Sequence, residues 1–600
     1  MKNSKRFLAM MTAGFLAITP MAATCMTAVA AGTSTLTVTD SDSIEHDYNA
    51  YQIITGTESG GKLTGLAWGN GINSASLISA LTNSDNAAAL GINAEKVGTT
   101  PDSVAAVLSG ITNSDKLQKL AKIIASCKDS SNAIDLVKSG TSYSASSLDH
   151  GWYLVLDEST LGNGNDDVKV RSANILKFTG DTTINSKHSL PTLEKKIVEG
   201  GSEVDYNTAS IGDTITYHIN TKVPDTRGYE KYFFIVDDTF STGLTFQSVS
   251  SIIVYDDKDD GDGNTEAKKT LALDTGDYTD TTGDYYVVSG DNTVKIVFEN
   301  IIDRLGACTP GDDIVITYTA KLNSNAVITD AGNTNTAKLT YSNDPNVSAT
   351  GKDVSHPDEP GGSAPPVGET PEDTVKTYTT AIKINKVDQS NDPLTGAKFT
   401  LSCTNNEMQY VTITSYSKFT EDSSGAYWKL ADGTYTKTAP SGAADPLYDD
   451  TSKKYKKETG TSASVITEDA TSTSYAVEAE VDDQGNIIFK GLKPGTYTLT
   501  ESQVPTGYNG AAAETFKIVA TPTSSSATWA IKNSDDTTNT KFSLDDSDNT
   551  YEITIQNRQG ATLPTTGGIG TKLFYIIGGL LVAGSVVLLV TKKRMKTNED

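Results

Sequence analysis

Lys195 stands where an apolar residue is expected. In Leu193-Glu194-Lys195-Lys196-Ile197-Val198 a strand places Leu193, Lys195 and Ile197 on one face, turning an amine toward the core. Burial disfavours the ammonium form and lowers the lysine pKa, which leaves a nucleophile. The plainer alternative is a solvated surface lysine. The rest of the chain offers little else for enzyme chemistry. Cys25, Cys127, Cys308 and Cys403 are far apart, the five histidines are scattered, and no His-Glu-x-x-His pattern occurs. No Ser-His-Asp order or pair of catalytic acids stands out, so neither an enzyme nor a cofactor nor a metal site is expected. The acidic run 256–262, with Asn264 and Glu266, departs from EF-hand spacing and reads as a solvated hairpin tip rather than a calcium loop. One further segment could be a substrate: Leu563-Pro564-Thr565-Thr566-Gly567 precedes the uncharged apolar run 573–590 and then Lys592-Lys593-Arg594.

The elements around these residues define an exported chain. Residues 1–30 read as a signal peptide: a basic start, an apolar segment, then the small residues Ala28-Val29-Ala30. The run 573–590 is about the ~18 residues needed to cross a bilayer, and the basic tail 591–600 would stay cytoplasmic. Between them lies room for three ordinary domains. A net charge of −26 argues against nucleic acid or anionic lipid as a partner. Once Cys25 leaves with the signal, an odd number of cysteines remains, so durability must come from something other than a disulfide framework.

The pattern is mainly β. Residues 31–189 begin with alternating strands, carry short amphipathic helical segments such as 104–108 and 117–124, and return to strand at Gly151-Trp152-Tyr153-Leu154-Val155-Leu156-Asp157. Residues 190–355 hold many short strands between Gly/Asp/Asn turns, as in a β-sandwich. A Pro/Gly linker is expected over 356–375, and a further β domain over 376–560, with a Ser/Thr/Lys-rich stretch of unassigned role near 404–480.

The pentapeptide 563–567, apolar span and basic tail together resemble a Gram-positive sortase sorting signal. The resemblance implies cleavage between Thr566 and Gly567, with Leu563 and Pro564 in the recognised motif and the Thr566 acyl group passed to an amine. The span would hold the substrate at the membrane only until sorting. The three β regions resemble those of sortase-assembled backbone pilins. Their fold would be tandem immunoglobulin-like sandwiches of the collagen-adhesin A and B types, the first with inserted helices. In such domains a lysine on the first strand joins an asparagine on the last, with an acid beneath. The match implies Lys195, Asn335 and Asp238 in the middle domain, with Lys196, Asn333 and Asp237 each one step away. In the third it implies Lys386, Asn557 and Glu501, the last within Tyr497-Thr498-Leu499-Thr500-Glu501 ahead of Pro505-Thr506-Gly507-Tyr508. Asp157 aligns with Glu501, but no lysine occurs between residues 31 and 61, so no internal bond is expected in the first domain. The resemblance places the linking amine at the end of the first domain and so implies Lys187 as the one that receives Thr566 of the next subunit, with Lys177 as its rival.

The resemblance implies a shaft subunit of a covalent pilus on the cell wall. Its expected partners are a pilus-specific sortase, a housekeeping sortase, further copies of itself head to tail, minor pilins and peptidoglycan. The alternative is a single wall-anchored adhesin or an ancillary pilin.

Overall fold

The computed structural model describes residues 34–560 and 569–595, except 41–43, 60–61, 163–167, 173–174, 179–180, 187–189, 230–231, 258–265, 275–282, 299–300, 329, 347–366, 405–409, 432–434, 466–473 and 546–549. The signal segment, Lys187 and the motif 563–567 therefore lie outside the described residues.

In the first domain the strands Tyr48–Ser59 and Gly151–Asp157 pair antiparallel and are buried along most of their length. One face meets a four-stranded sheet through Leu36, Val38, Tyr48, Tyr143 and Tyr153. The other is covered by the helices Ser74–Thr82, Ser84–Leu90, Pro101–Leu108 and Ser114–Ala125. The third of these has Pro101 at its start and Thr100 in a capping box with Ser103, which satisfies amides of the first turn. Leu120 and Ile124, four residues apart, supply one apolar stripe.

The middle domain is two stacked sheets around one large core. The six-stranded sheet contains Leu193–Glu199, Thr214–Lys222, Asp313–Leu322 and Leu244–Tyr255; the seven-stranded sheet contains Asp373–Tyr378, Asn333–Ser342, Phe234–Phe240 and Thr293–Phe298. Period-two alternation is plain in Asp313–Leu322, where Ile314, Ile316, Tyr318, Ala320 and Leu322 all point inward.

Here the linker expectation needs correction. Val367–Glu369 and Asp373–Tyr378 both pair with Asn333–Ser342, so residues 367–375 of the expected linker, and 376–378 of the expected third domain, complete the middle-domain sheet. The sequence obscured this because Asp373–Tyr378 runs into the next strand, Thr380–Val387, with only Thr379 between. Val375 and Thr377 are fully buried, which is what draws the segment into the sheet.

The third domain again stacks two sheets, of six and five strands. Its first strand, Thr380–Val387, lies parallel to its last, Thr550–Gln556. The stretch near 404–480 forms a long hairpin, Tyr410–Glu421 with Tyr455–Val465, whose distal end gathers Phe419, Tyr427, Tyr435 and Tyr455. The third domain touches the middle one through Lys493–Asp213 (2.8 Å) and the Tyr378 hydroxyl donating to the Thr523 carbonyl (2.9 Å). The C-terminal helix Ile569–Met595 includes a 22-residue candidate membrane span, Leu573–Arg594, none of it buried. Strands Leu244–Tyr255 and Ala267–Thr270 flank the acidic run as a hairpin, and its outer carboxylates Asp256 and Asp257 pair with Lys268 and Lys222.

Candidate cross-linking sites

Each site arises where polar residues occupy inward slots of otherwise apolar strands. Lys195 shares its face with Ile197, Asp238 with Val236 and Phe240, and Asn335 with Ala337 and Leu339. All three are buried, Lys195 and Asn335 to 0% exposure. Lys195 belongs to one sheet, whereas Asp238 and Asn335 lie on neighbouring strands of the other. The set therefore spans the sandwich.

The Lys195 Nζ lies 2.9 Å from Asp238 Oδ1 and also donates to the Tyr318 hydroxyl. Asn335 Nδ2 donates to that same hydroxyl at 3.0 Å. Tyr217 and Tyr318 stack with ring centroids 5.2 Å apart, and the amine sits 5.4 and 5.0 Å from their centres. Burial pushes the Lys195 amine below its usual range, although the charge of Asp238 and its hydrogen bond oppose the shift. In this dry setting the uncharged, nucleophilic form of the amine is favoured.

The neighbouring candidates are occupied elsewhere. Lys196 pairs with Glu194 and Asp205 near the surface, Asp237 accepts from the Thr340 hydroxyl, and Asn333 donates to the Val327 and Thr377 carbonyls.

In the third domain Lys386 follows Ile382 and Ile384 inward and is itself 0% exposed. Its Nζ donates to the backbone carbonyls of Val387 (3.2 Å) and Ile555 (3.1 Å). Asn557 Nδ2 donates to Glu501 Oε1 at 2.7 Å, while Glu501 Oε2 accepts from the Ala511 amide, also at 2.7 Å. Burial lowers the Lys386 pKa to about 8, against the opposing charges of Glu501 and Asp388. Gly485 keeps the space beside this lysine open: its φ is +74°, and a Cβ there would lie 2.4 Å from the Lys386 carbonyl oxygen. This site joins neighbouring parallel strands of one sheet, with the acid rising from the other.

Both asparagines share one anomaly. Asn335 Oδ1 and Asn557 Oδ1 are buried with no hydrogen-bond partner among the described residues. An orphaned buried carbonyl is costly, about 1–3 kcal/mol. In the third domain a half-turn of the amide would put Oδ1 where Nδ2 now meets Glu501, satisfied as soon as that carboxyl carries a proton. The same contact would polarise the amide carbon for attack by the lysine.

The first domain has a different solution at the place aligned with Glu501. Asp157 accepts from the Ser172 amide (2.8 Å) and faces His46 Nδ1 at 2.7 Å, both side chains fully buried. Burial pushes the Asp157 carboxyl up, but His46, the Ser159 hydroxyl and the Ser172 amide outweigh it and hold it below the usual range. The sequence reading missed His46 and Tyr318. Tyr318 could have been found as the polar tip on an inward-facing strand position; His46 precedes its strand and leaves no periodic signal. Of the linking-lysine candidates, Lys187 lies outside the described residues, and Lys177 pairs through its backbone with Tyr153.

Comparison with known proteins follows the same division of the chain. Residues 380–443 and 447–535 match a SpaA family model described as a prealbumin-like fold domain, and residues 556–597 match the LPXTG cell wall anchor motif. The trypsin-resistant surface T6 protein of Streptococcus pyogenes serotype M6 is 27% identical over 457 residues, 74% of this chain and 75% of that one. Among solved structures, the T6 backbone pilin of the same serotype aligns with 88% of this chain and 99% of its own (15% identity, TM-score 0.47). The full-length major pilin SpaD from Corynebacterium diphtheriae aligns with 88% and 98% (14% identity, TM-score 0.40). With its LPXTG anchor motif, its prealbumin-like domain and its likeness to a streptococcal surface protein along three quarters of both chains, this is a mainly β, cell-wall-anchored surface protein.

Proposed function

We propose that the chain is the repeating shaft unit of its pilus, joined from Thr566 of one copy to Lys187 of the next, and that each of its last two domains closes itself with a Lys–Asn isopeptide bond. The observation that carries this reading is the pair of buried lysine–carboxylate–asparagine sets, each tying the first strand of a domain to a distant late segment: strand Asn333–Ser342 in the middle domain, and the residue just after Thr550–Gln556 in the third. Within each set the neutral amine attacks the asparagine Cγ, and the carboxylic acid polarises Oδ1. The Nζ–Cγ bond forms, the Cγ–Nδ2 bond breaks, and ammonia leaves with the proton given up by the amine. Asp238 and Glu501 act once, each on its own chain.

A head-to-tail contact of this kind does not close and so builds a filament. A pilus-specific sortase would make each Thr566–lysine link, and a housekeeping sortase would transfer the finished fibre to peptidoglycan. Minor pilins would complete it.

The test is a blot of cell-wall extracts boiled in detergent. A ladder of very large species, lost in Lys187→Ala, is the expected result. A ladder that survives this change retains the shaft and moves the amine to another lysine. A single band near monomer size would overturn the shaft and favour the wall-anchored adhesin.

A further inference from the structure

The Tyr318 hydroxyl touches both nitrogens that the proposed middle-domain reaction exchanges. It accepts from Lys195 Nζ, the nucleophile, and from Asn335 Nδ2, the leaving group, at 3.0 Å. The ring is held in place on every side: it stacks on Tyr217, meets Phe240 edge-on at 6.3 Å, and sits in the centre of a six-stranded sheet. A fully buried hydroxyl in this position needs a reason, because phenylalanine would fill the same volume without a polar atom to satisfy.

We propose that Tyr318 is a catalytic residue of the middle-domain cross-link, relaying a proton from the attacking nitrogen of Lys195 to the departing nitrogen of Asn335. This inference rests on the cross-linking reading above and assigns it a further participant. An amide nitrogen leaves poorly unless it is protonated as the C–N bond breaks. After attack, Nζ carries a surplus proton and Nδ2 lacks one. The hydroxyl takes the proton from Nζ and gives its own to Nδ2, so that ammonia departs and Tyr318 ends as it began. Asp238, 2.9 Å from Nζ, remains free to hold its proton on the forming carbonyl. Burial, with Asp238 beside it, raises the Tyr318 pKa well above that of an exposed phenol. The group therefore stays protonated and acts as a shuttle rather than as a competing base.

Among the described residues the third domain shows no such arrangement. Tyr497, buried on the strand that carries Glu501, donates its hydroxyl to the Lys493 carbonyl (2.8 Å), and Lys386 is held by backbone carbonyls. The two bonds of one chain therefore depend differently on tyrosine, and each serves as the other's control.

The experiment is a time course of ammonia loss in the full chain made by cell-free synthesis, read at each site from the cross-linked peptide. In Tyr318→Phe the Lys195–Asn335 bond is expected to form about 10²-fold more slowly or more, the usual contribution of a positioned proton-transfer group. The Lys386–Asn557 bond should keep the wild-type rate. Replacement of Tyr318 by 3-fluorotyrosine, similar in shape but more acidic, should restore bond formation at a rate different from wild type. Equal rates in Tyr318→Phe and wild type would overturn the relay while leaving the cross-link intact. A wild-type chain that keeps both ammonias would overturn the cross-link reading itself. If Tyr318→Phe fails to fold, the fluorotyrosine rate decides: a rate equal to wild type removes the relay.

Discussion

Pulling on one subunit tests the cross-links and the interdomain strand at once. With handles at Leu190 and at the end of the ectodomain, the load runs through Lys195 to Asn335, along the chain to Lys386, and out through Asn557. The segments 196–334 and 387–556 are then bypassed. What carries tension is the chain from 336 to 385, and part of it is folded back on itself. Asn335 faces Val375 and Asn333 faces Thr377 in an antiparallel ladder, so force enters and leaves at the same end of that strand pair. Its hydrogen bonds must open one after another instead of sharing the load. The short parallel ladder from Tyr206–Thr208 to Lys376–Tyr378 peels from the same end. Releasing residues 336–378, about 43 in number, at ~3.4 Å each gives a lengthening of about 15 nm. Optical tweezers on the cross-linked ectodomain should show this step, recovered on relaxation, and no further lengthening before the tether breaks. Asn335→Ala should add residues 195–334 to the path, about 48 nm more. If a chain that has lost both ammonias shows no such step, Asp373–Tyr378 is not the yielding element. If it lengthens far beyond 15 nm, the bonds do not shunt the load.

The remaining predictions concern the sites themselves. The intact mass of the ectodomain should fall short by two ammonias, and Asn335→Ala and Asn557→Ala should each abolish one deficit; a full-length mass in the wild type would refute both bonds. Asp238→Ala should block the middle-domain bond and leave Lys195 buried without its partner, at a cost of about 3–5 kcal/mol read from the urea midpoint against Asn335→Ala, in which the bond is equally absent. Because only the neutral amine attacks, the third-domain bond should form faster as pH rises toward about 8, measured by ammonia loss after mixing to each pH. Asp157, held below its unfolded value of about 3.9, adds stability that is present above that pH and lost as pH falls through the folded value. Limited proteolysis across that acid range should open the first domain before the other two, and Asp157→Asn should remove the acid dependence.

Much of this was legible in the chain. Alternation exposed Lys195 as a charged residue on an apolar face, and the strands Asp313–Leu322 and Thr380–Val387 carry their inward sets openly. The sorting motif, apolar span and basic tail are a linear signal, which needs no fold to be read. The helices inserted in the first domain followed from amphipathic spacing. Three things depended on tertiary structure. The choice of Lys195 over Lys196, Asp238 over Asp237 and Asn335 over Asn333 is a matter of one strand step, and only the facing sheet decides which side is dry. Strand Asp373–Tyr378 belongs to the middle domain because Val375 and Thr377 find a buried slot against Asn333–Ser342, a partner set by packing rather than by local sequence. His46 and Tyr318 acquire their roles from groups 111 and 123 residues away, Asp157 and Lys195. Sequence determines which face each side chain takes along its own strand. The partner across the core is fixed only when the sheets close.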